Sequence, residues 1–127
     1  MAIQATKVAV LGNPDTTERN VTILFSLALS ANYGGAATHG DTLNFGGAGS
    51  AFEIASDQLP LWVDVFEMPA SGTQPSWYNG VYCPGTTRDN GVVAFALAGT
   101  EFTGGNPYTG ALAAATFFAV ACFPAFV

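Results

Sequence analysis

Residues 20–31 read Asn-Val-Thr-Ile-Leu-Phe-Ser-Leu-Ala-Leu-Ser-Ala, and this stretch decides the fold. Val21, Ile23, Phe25, Leu27 and Leu29 fall on one parity. Side chains alternate between the two faces of a strand, so a strict two-residue apolar period predicts a β-strand with one face in a core. The opposite parity holds Thr22, Leu24, Ser26, Ala28 and Ser30, none of them charged. A strand face without charge is suited to contact with another subunit, because charged residues are depleted at the centres of interfaces.

Outward from this strand, clusters of Gly, Pro, Asn and Asp cut the chain into strand-sized pieces. Gly12-Asn13-Pro14-Asp15 ends a first piece at residues 6–11. A glycine-rich loop at 32–41 leads into a short strand at 42–45, and a loose stretch follows at 46–56. Behind Pro60, Leu61, Val63 and Val65 alternate with Trp62, Asp64 and Phe66. Proline suits the first position of a strand, where its missing N–H does least harm to the ladder. Residues 77–82 and 92–97 are two further strand-like runs, with Asn90-Gly91 before the second. That dipeptide favours a two-residue hairpin turn, but the runs stand too far apart for one, so a longer loop is expected. Residues 99–110 read as a loop and 113–123 as the last strand. No stretch combines helix formers with a 3.6-residue period. The expectation is one all-β domain over residues 1–127, an antiparallel β-sandwich, jelly-roll-like or barrel-like, with long Gly/Pro-rich loops. Residues 1–12 are expected as an N-terminal arm or edge strand.

Composition narrows the function. Half of the residues are hydrophobic and only 9% are charged, against roughly 25% in an average domain. Lys7, Arg19 and Arg88 are the only permanent cations, and the formal net charge is −6. Nucleic-acid binding needs clustered Lys and Arg, so it is excluded as a role. Residues 111–127 carry no charge. The run is shorter than the ~20 apolar residues of a helical span and Pro124 interrupts it, so a terminal core strand is expected there and no membrane partner. The opening residues show no secretory signal pattern, which points to folding in the cytoplasm with reduced thiols. Cys83 and Cys122 are therefore expected as unpaired, buried small hydrophobes.

Candidate chemistry is sparse. His39, the single histidine, lies in a Gly/Ala/Thr loop two residues from Asp41, and no serine is marked as an activated nucleophile. One histidine and two distant cysteines give no metal-ligand spacing, and Asp15 with Glu18 or Asp64 with Glu67 offers too few oxygens for calcium. Gly34-Gly35, Gly46-Gly47 and Gly104-Gly105 lack the Gly-Lys-Ser/Thr ending of a phosphate loop. No catalytic, cofactor or metal site is expected. The aromatics Tyr33, Trp62, Trp77, Tyr78, Tyr82 and Tyr108 are read as core and subunit-interface fillers in preference to a carbohydrate platform.

Several segments carry a family likeness. They are the alternating strand ending in Leu29-Ser30-Ala31-Asn32-Tyr33, the loop His39-Gly40-Asp41-Thr42-Leu43, and the strand Leu61-Trp62-Val63-Asp64-Val65. Tyr82-x-Pro84-Gly85-Thr86-Thr87-x-x-Asn90-Gly91 and the hydrophobic C-terminal strand complete the set. Together, over roughly residues 3 to 123, they resemble small structural proteins of tailed bacteriophages, similar to capsid decoration or cement proteins. The chain departs from that pattern at its alanine-rich residues 111–115 and in the loop 46–56. The resemblance implies a non-enzymatic virion protein, made in the host cytoplasm, that binds the outer capsid surface and bridges capsomers. Its partners would be the major capsid protein and its own copies, as a homotrimer at three-fold positions. Gly40-Asp41-Thr42-Leu43 and Pro84-Gly85-Thr86-Thr87 would set shape. Candidate contacts are Ile3, Val8, Val10, Trp62, Trp77, Tyr78, Phe123 and Phe126, and residues 2–10 would add to a neighbour's sheet by β-augmentation. The alternative is a carbohydrate-binding head-fibre or tail-associated module, with Trp62, Trp77 or Tyr108 stacked on sugar rings.

Overall fold

The computed structural model describes residues 2–12, 20–29, 32–34, 40–46, 58–102, 107–108 and 115–124. The turn at 13–15, His39, the loop residues 47–56 and Phe126 lie outside them. Eight strands are present: β1 (Ala2–Gly12), β2 (Asn20–Ala28), β3 (Asp41–Asn44), β4 (Trp62–Glu67), β5 (Tyr78–Cys83), β6 (Gly91–Leu97), β7 (Thr100–Glu101) and β8 (Phe117–Pro124). Hydrogen bonds join them into one sheet in the order β4-β8-β2-β1-β3-β6-β5, with β7 on β6. Every pairing is antiparallel except that of β1 with β3. The sheet curls until β4 and β5 approach each other, which makes it a nearly closed barrel.

The inward faces explain the curl. Val21, Ile23, Phe25 and Leu27 of β2 are buried, as their parity requires. Directly opposite residues of paired strands share a face, and here bulk alternates with its absence. Phe25 is in register with Ala119, and Ile23 with Ala121. On the far side of β8, Val65 meets Ala119 and Val63 meets Ala121. The alanines leave room for rings from several strands: Phe25 lies 4.8 Å from Phe45, Phe45 lies 5.3 Å from Phe123, and Phe95 lies 4.9 Å from Phe117, between centroids. Burying each such ring contributes about 2–3 kcal/mol.

At the seam, β5 contributes no side chain where the barrel closes. Gly80 is in register with the buried Phe95, and a Cβ there would sit 2.6 Å from Val65 Cγ1 of β4 and 3.3 Å from the Phe95 ring. Below the seam, the Glu67 carboxylate accepts the Ser76 N–H at 2.8 and 3.0 Å and the Ser76 hydroxyl at 2.8 Å. This ties the β4–β5 connection to the end of β4.

Three local features differ from expectation. The N-terminal segment is not a free arm, and its first residues are interior to the sheet: β1 pairs with β2 on one side and, through Ala2, Ile3 and Gln4, with β3 on the other. Ile3 and Ala5 are fully buried, so they complete the core rather than reach for a neighbour. Register shifts between Lys7 and Ala9 and between Val10 and Gly12 leave Val8 and Leu11 as extra residues, the signature of β-bulges. Thr100 and Glu101, expected in a loop, pair with Leu97 and Ala96 through a two-residue turn at Ala98 (φ 51°) and Gly99 (φ 84°). Positive φ at both positions is the type I′ geometry that matches the twist of a hairpin. Between β5 and β6 the expected longer loop is present. There Asn90 Oδ1 accepts the Thr86 and Thr87 N–H groups at 2.8 and 2.9 Å, so its side chain holds the loop.

Two substitutions test this account by equilibrium denaturation. Gly80→Val overpacks the seam and is expected to cost about 2–3 kcal/mol. Ala98→Asn suits the left-handed turn position and is expected to stabilise by about 0.5–1 kcal/mol.

Candidate interaction surface

The outward parity of β2 continues across its neighbours in three rows. Trp62, Cys122 and Thr22 form the first; Asp64, Val120, Leu24 and Ala9 the second; Phe66, Phe118, Ser26 and Thr6 the third. Strands lie about 4.8 Å apart, so the face is roughly 14 Å across from β1 to β4. Asp64 is the only charged residue in these rows. The Phe66 and Phe118 rings stack with centroids 5.9 Å apart and planes at 19°. The C-terminal end of β1 and the N-terminal end of β4 flank one end of this face. There Val8, Val10, Leu11, Leu61 and Trp62 are all exposed. Val8 and Leu11 are exposed because each is the extra residue of a bulge, which turns its side chain out of the alternation.

The candidate contact residues separate accordingly. Val8, Val10 and Trp62 lie on this rim, and Trp77 is exposed elsewhere, before β5. Ile3 and Phe123 are fully buried: Ile3 is on the inner face of β1, and Phe123 packs edge-on to Phe45. Their side chains have no surface to give a partner. Tyr78 is half-buried, 5.9 Å from Phe102, and Phe126 is outside the described residues. Leu11, Leu61, Phe66 and Phe118 complete the surface and escape sequence reading. Residues 117–123 are apolar on both parities, so periodicity does not say which face is outward. Cys83 is exposed, contrary to expectation, because it ends β5 on the outward parity; Cys122 is buried, and both thiols are unpaired.

Tyr33 and Tyr108 belong to the other end of the barrel, and to the core. Tyr33 is fully buried; its hydroxyl donates to Glu101 Oε2 at 2.6 Å and accepts the Phe95 N–H at 3.1 Å. Asp41, 1% exposed, accepts the Gly34 N–H at 2.6 Å and the Tyr108 hydroxyl. The rings interlock: Tyr33 meets Phe102 and Tyr108 edge-on at 5.6 and 5.9 Å, and Phe102 stacks on Tyr108. Here Asp41 joins the start of β3 to Gly34 and Tyr108, and Glu101 joins β7 to Tyr33. The arrangement fastens chain segments. Among the described residues, no group of three or more His, Cys, Asp or Glu could hold a metal ion.

Burial pushes the Tyr33 and Tyr108 hydroxyls well above the usual tyrosine range, and hydrogen bonding to Glu101 and Asp41 pushes them the same way. Burial also raises Tyr82. No protein-family model, curated protein or solved structure matches this chain.

Because the folded state favours the neutral phenols, their contribution to stability is intact below about pH 10 and is lost as pH rises further. Alkaline titration followed by phenolate absorbance and circular dichroism should show Tyr33, Tyr82 and Tyr108 ionising together with unfolding. Ionisation of Tyr33 and Tyr108 near pH 10 in a protein that stays folded would contradict the cluster.

Proposed function

We propose that this protein is a non-enzymatic structural protein of a tailed-phage virion, which binds the outer capsid surface and stabilises the shell by bridging capsomers. The observation that carries the reading is the outer face of β1-β2-β8-β4, nearly free of charge and edged by exposed Val8, Val10, Leu11, Leu61 and Trp62. Contiguous apolar surface of this kind marks interaction sites. In a chain of net charge −6, this face is also where a partner meets little electrostatic repulsion. The resemblance of the turn and strand segments to decoration proteins supplies the particular partners: the major capsid protein, and further copies of this chain in a homotrimer.

The energetics fit a repeated weak contact. Apolar burial yields about 25 cal/mol per Å2 before association costs are subtracted. A copy that touches two capsomers gains from the raised effective concentration of the second contact. Each contact then needs only modest affinity.

Purified protein mixed with expanded and with unexpanded empty heads, followed by sedimentation and gel densitometry, tests the reading. Saturable binding at a fixed ratio to capsid protein is expected. Leu61→Asp should lower the apparent affinity at least ~10-fold, since it removes an apolar contact and forces a carboxylate against an apolar partner, together worth more than ~1.4 kcal/mol. Val81→Ser, on β5 away from the face, should leave it unchanged. Absence of binding to both head forms, or an unaltered Leu61→Asp protein, would overturn the proposal.

A further inference from the structure

The two tryptophans mark opposite ends of the barrel. Trp62 begins β4 on the apolar rim, whereas Trp77 ends the connection that leaves the other end of β4 and enters β5. For folding alone, tryptophan is a poor choice at position 77. Its φ of 65° lies in the left-handed region, where a bulky side chain is strained. Its side chain is 68% exposed, so packing returns little. The backbone on both sides is nonetheless fixed. Ser76 is buried and held by Glu67, the Tyr78 N–H donates to Ser76 Oγ at 3.2 Å, and the Tyr78 ring packs against Phe102. A strained, exposed aromatic on a pinned backbone breaks a local rule without a gain in folding, and such positions belong to function.

The surroundings select the ligand. Residues 68–79 contain no charged side chain, and the preceding carboxylate, Glu67, is occupied by Ser76. Gln74 and Asn79 are exposed and offer two amides, while the Thr73 hydroxyl is already donated to the Ala70 carbonyl at 2.6 Å. An indole face with uncharged donors and acceptors matches a sugar ring, whose C–H face stacks while its hydroxyls hydrogen-bond. A nucleotide would need cations for its phosphate, and this segment has none. A protein hot spot would be fenced by apolar neighbours, as Trp62 is; near Trp77 the exposed large apolar side chains Met68, Val81 and Leu97 are interspersed with the exposed Ser71, Thr73, Gln74 and Asn79.

We infer that Trp77 is a preset stacking platform for a neutral saccharide, with Gln74 and Asn79 as hydroxyl-binding partners. This site is separate from the β1-β2-β8-β4 face, and its test does not require phage heads.

Calorimetric titration of the whole protein with cello-, malto-, manno- and chito-hexaose is the direct experiment, with tryptophan fluorescence as a second readout. Saturable binding to at least one is expected. It should weaken at least 10-fold in Trp77→Ala and stay unchanged in Trp62→Ala. Trp77→Gly should melt about 2–5 °C above the wild type as the strain is released. Lack of binding to all four sugars, binding that survives Trp77→Ala, or a Trp77→Gly protein no more stable than wild type would each overturn the inference. Loss of head occupancy in Trp77→Ala, without sugar binding, would do so in favour of a protein contact.

Discussion

The structure depends on how the inside of a small barrel is filled. A sheet closing on itself leaves an interior that side chains must occupy at crystal-like density, without voids and without overlap. This chain uses rings: Phe25, Phe45, Phe95, Phe117, Phe123 and Tyr33 are all fully buried. Rings of that size fit because Ala119, Ala121 and Gly80 stand beside them on the central and closing strands. The register follows from the same requirement. A one-residue slip of β8 would place Phe118 or Val120 where Ala119 now lies against Phe25, and would turn the uncharged outer face inward.

The filling also makes the two ends of the barrel different. Around Tyr33, Tyr108 and Phe102 the core rings continue to one end, and the chain buries a carboxylate, Asp41, beside them. A buried charge is tolerable only with partners, and Asp41 has the Gly34 N–H and the Tyr108 hydroxyl. Neutral phenols donate here, so the end is fastened without bringing cations into the core. At the other end, β1 and β4 carry exposed apolar side chains. One end is thus tied by buried hydrogen bonds and the other presents hydrophobic surface.

Much of this was legible in residue order, where alternation was strong. β2, β4 and β6 follow from parity, and the single all-β class follows with them. β1 was harder because its buried side chains are Ile3 and Ala5, little apolar bulk to mark an interior strand. β7 is two residues long and exists only through its pairing with β6. Phe123 was ambiguous because both faces of β8 are apolar, and the outer face is visible only once β4 and β2 are placed beside it. The bulges that expose Val8 and Leu11 arise from a mismatch between two strands, so neither strand's sequence contains them alone. Tyr33 and Tyr108 pack into one end of the core and both tryptophans face outward, because the Tyr33 and Tyr108 hydroxyls have carboxylate and backbone partners that linear spacing does not reveal.

The acidic balance has a structural origin in the same pattern. Of the described carboxylates, Asp41 holds Gly34 and Tyr108, Glu67 holds Ser76, Glu101 holds Tyr33, and Asp89 pairs with Arg88 at 3.3 Å. The first three acids fasten loops to strand ends and Asp89 acts within its own loop, which leaves Asp64 as the one charge in the outer rows of β1, β2, β8 and β4. A chain can therefore be strongly acidic in total and still present faces of low charge. Trp62 begins β4 and Trp77 closes the connection that leaves the strand's other end, so the six-residue β4, roughly 20 Å long at about 3.3 Å per residue, lies between them. That separation exceeds the width of a single sugar ring, so contact at the rim and stacking on the Trp77 indole draw on different parts of the surface.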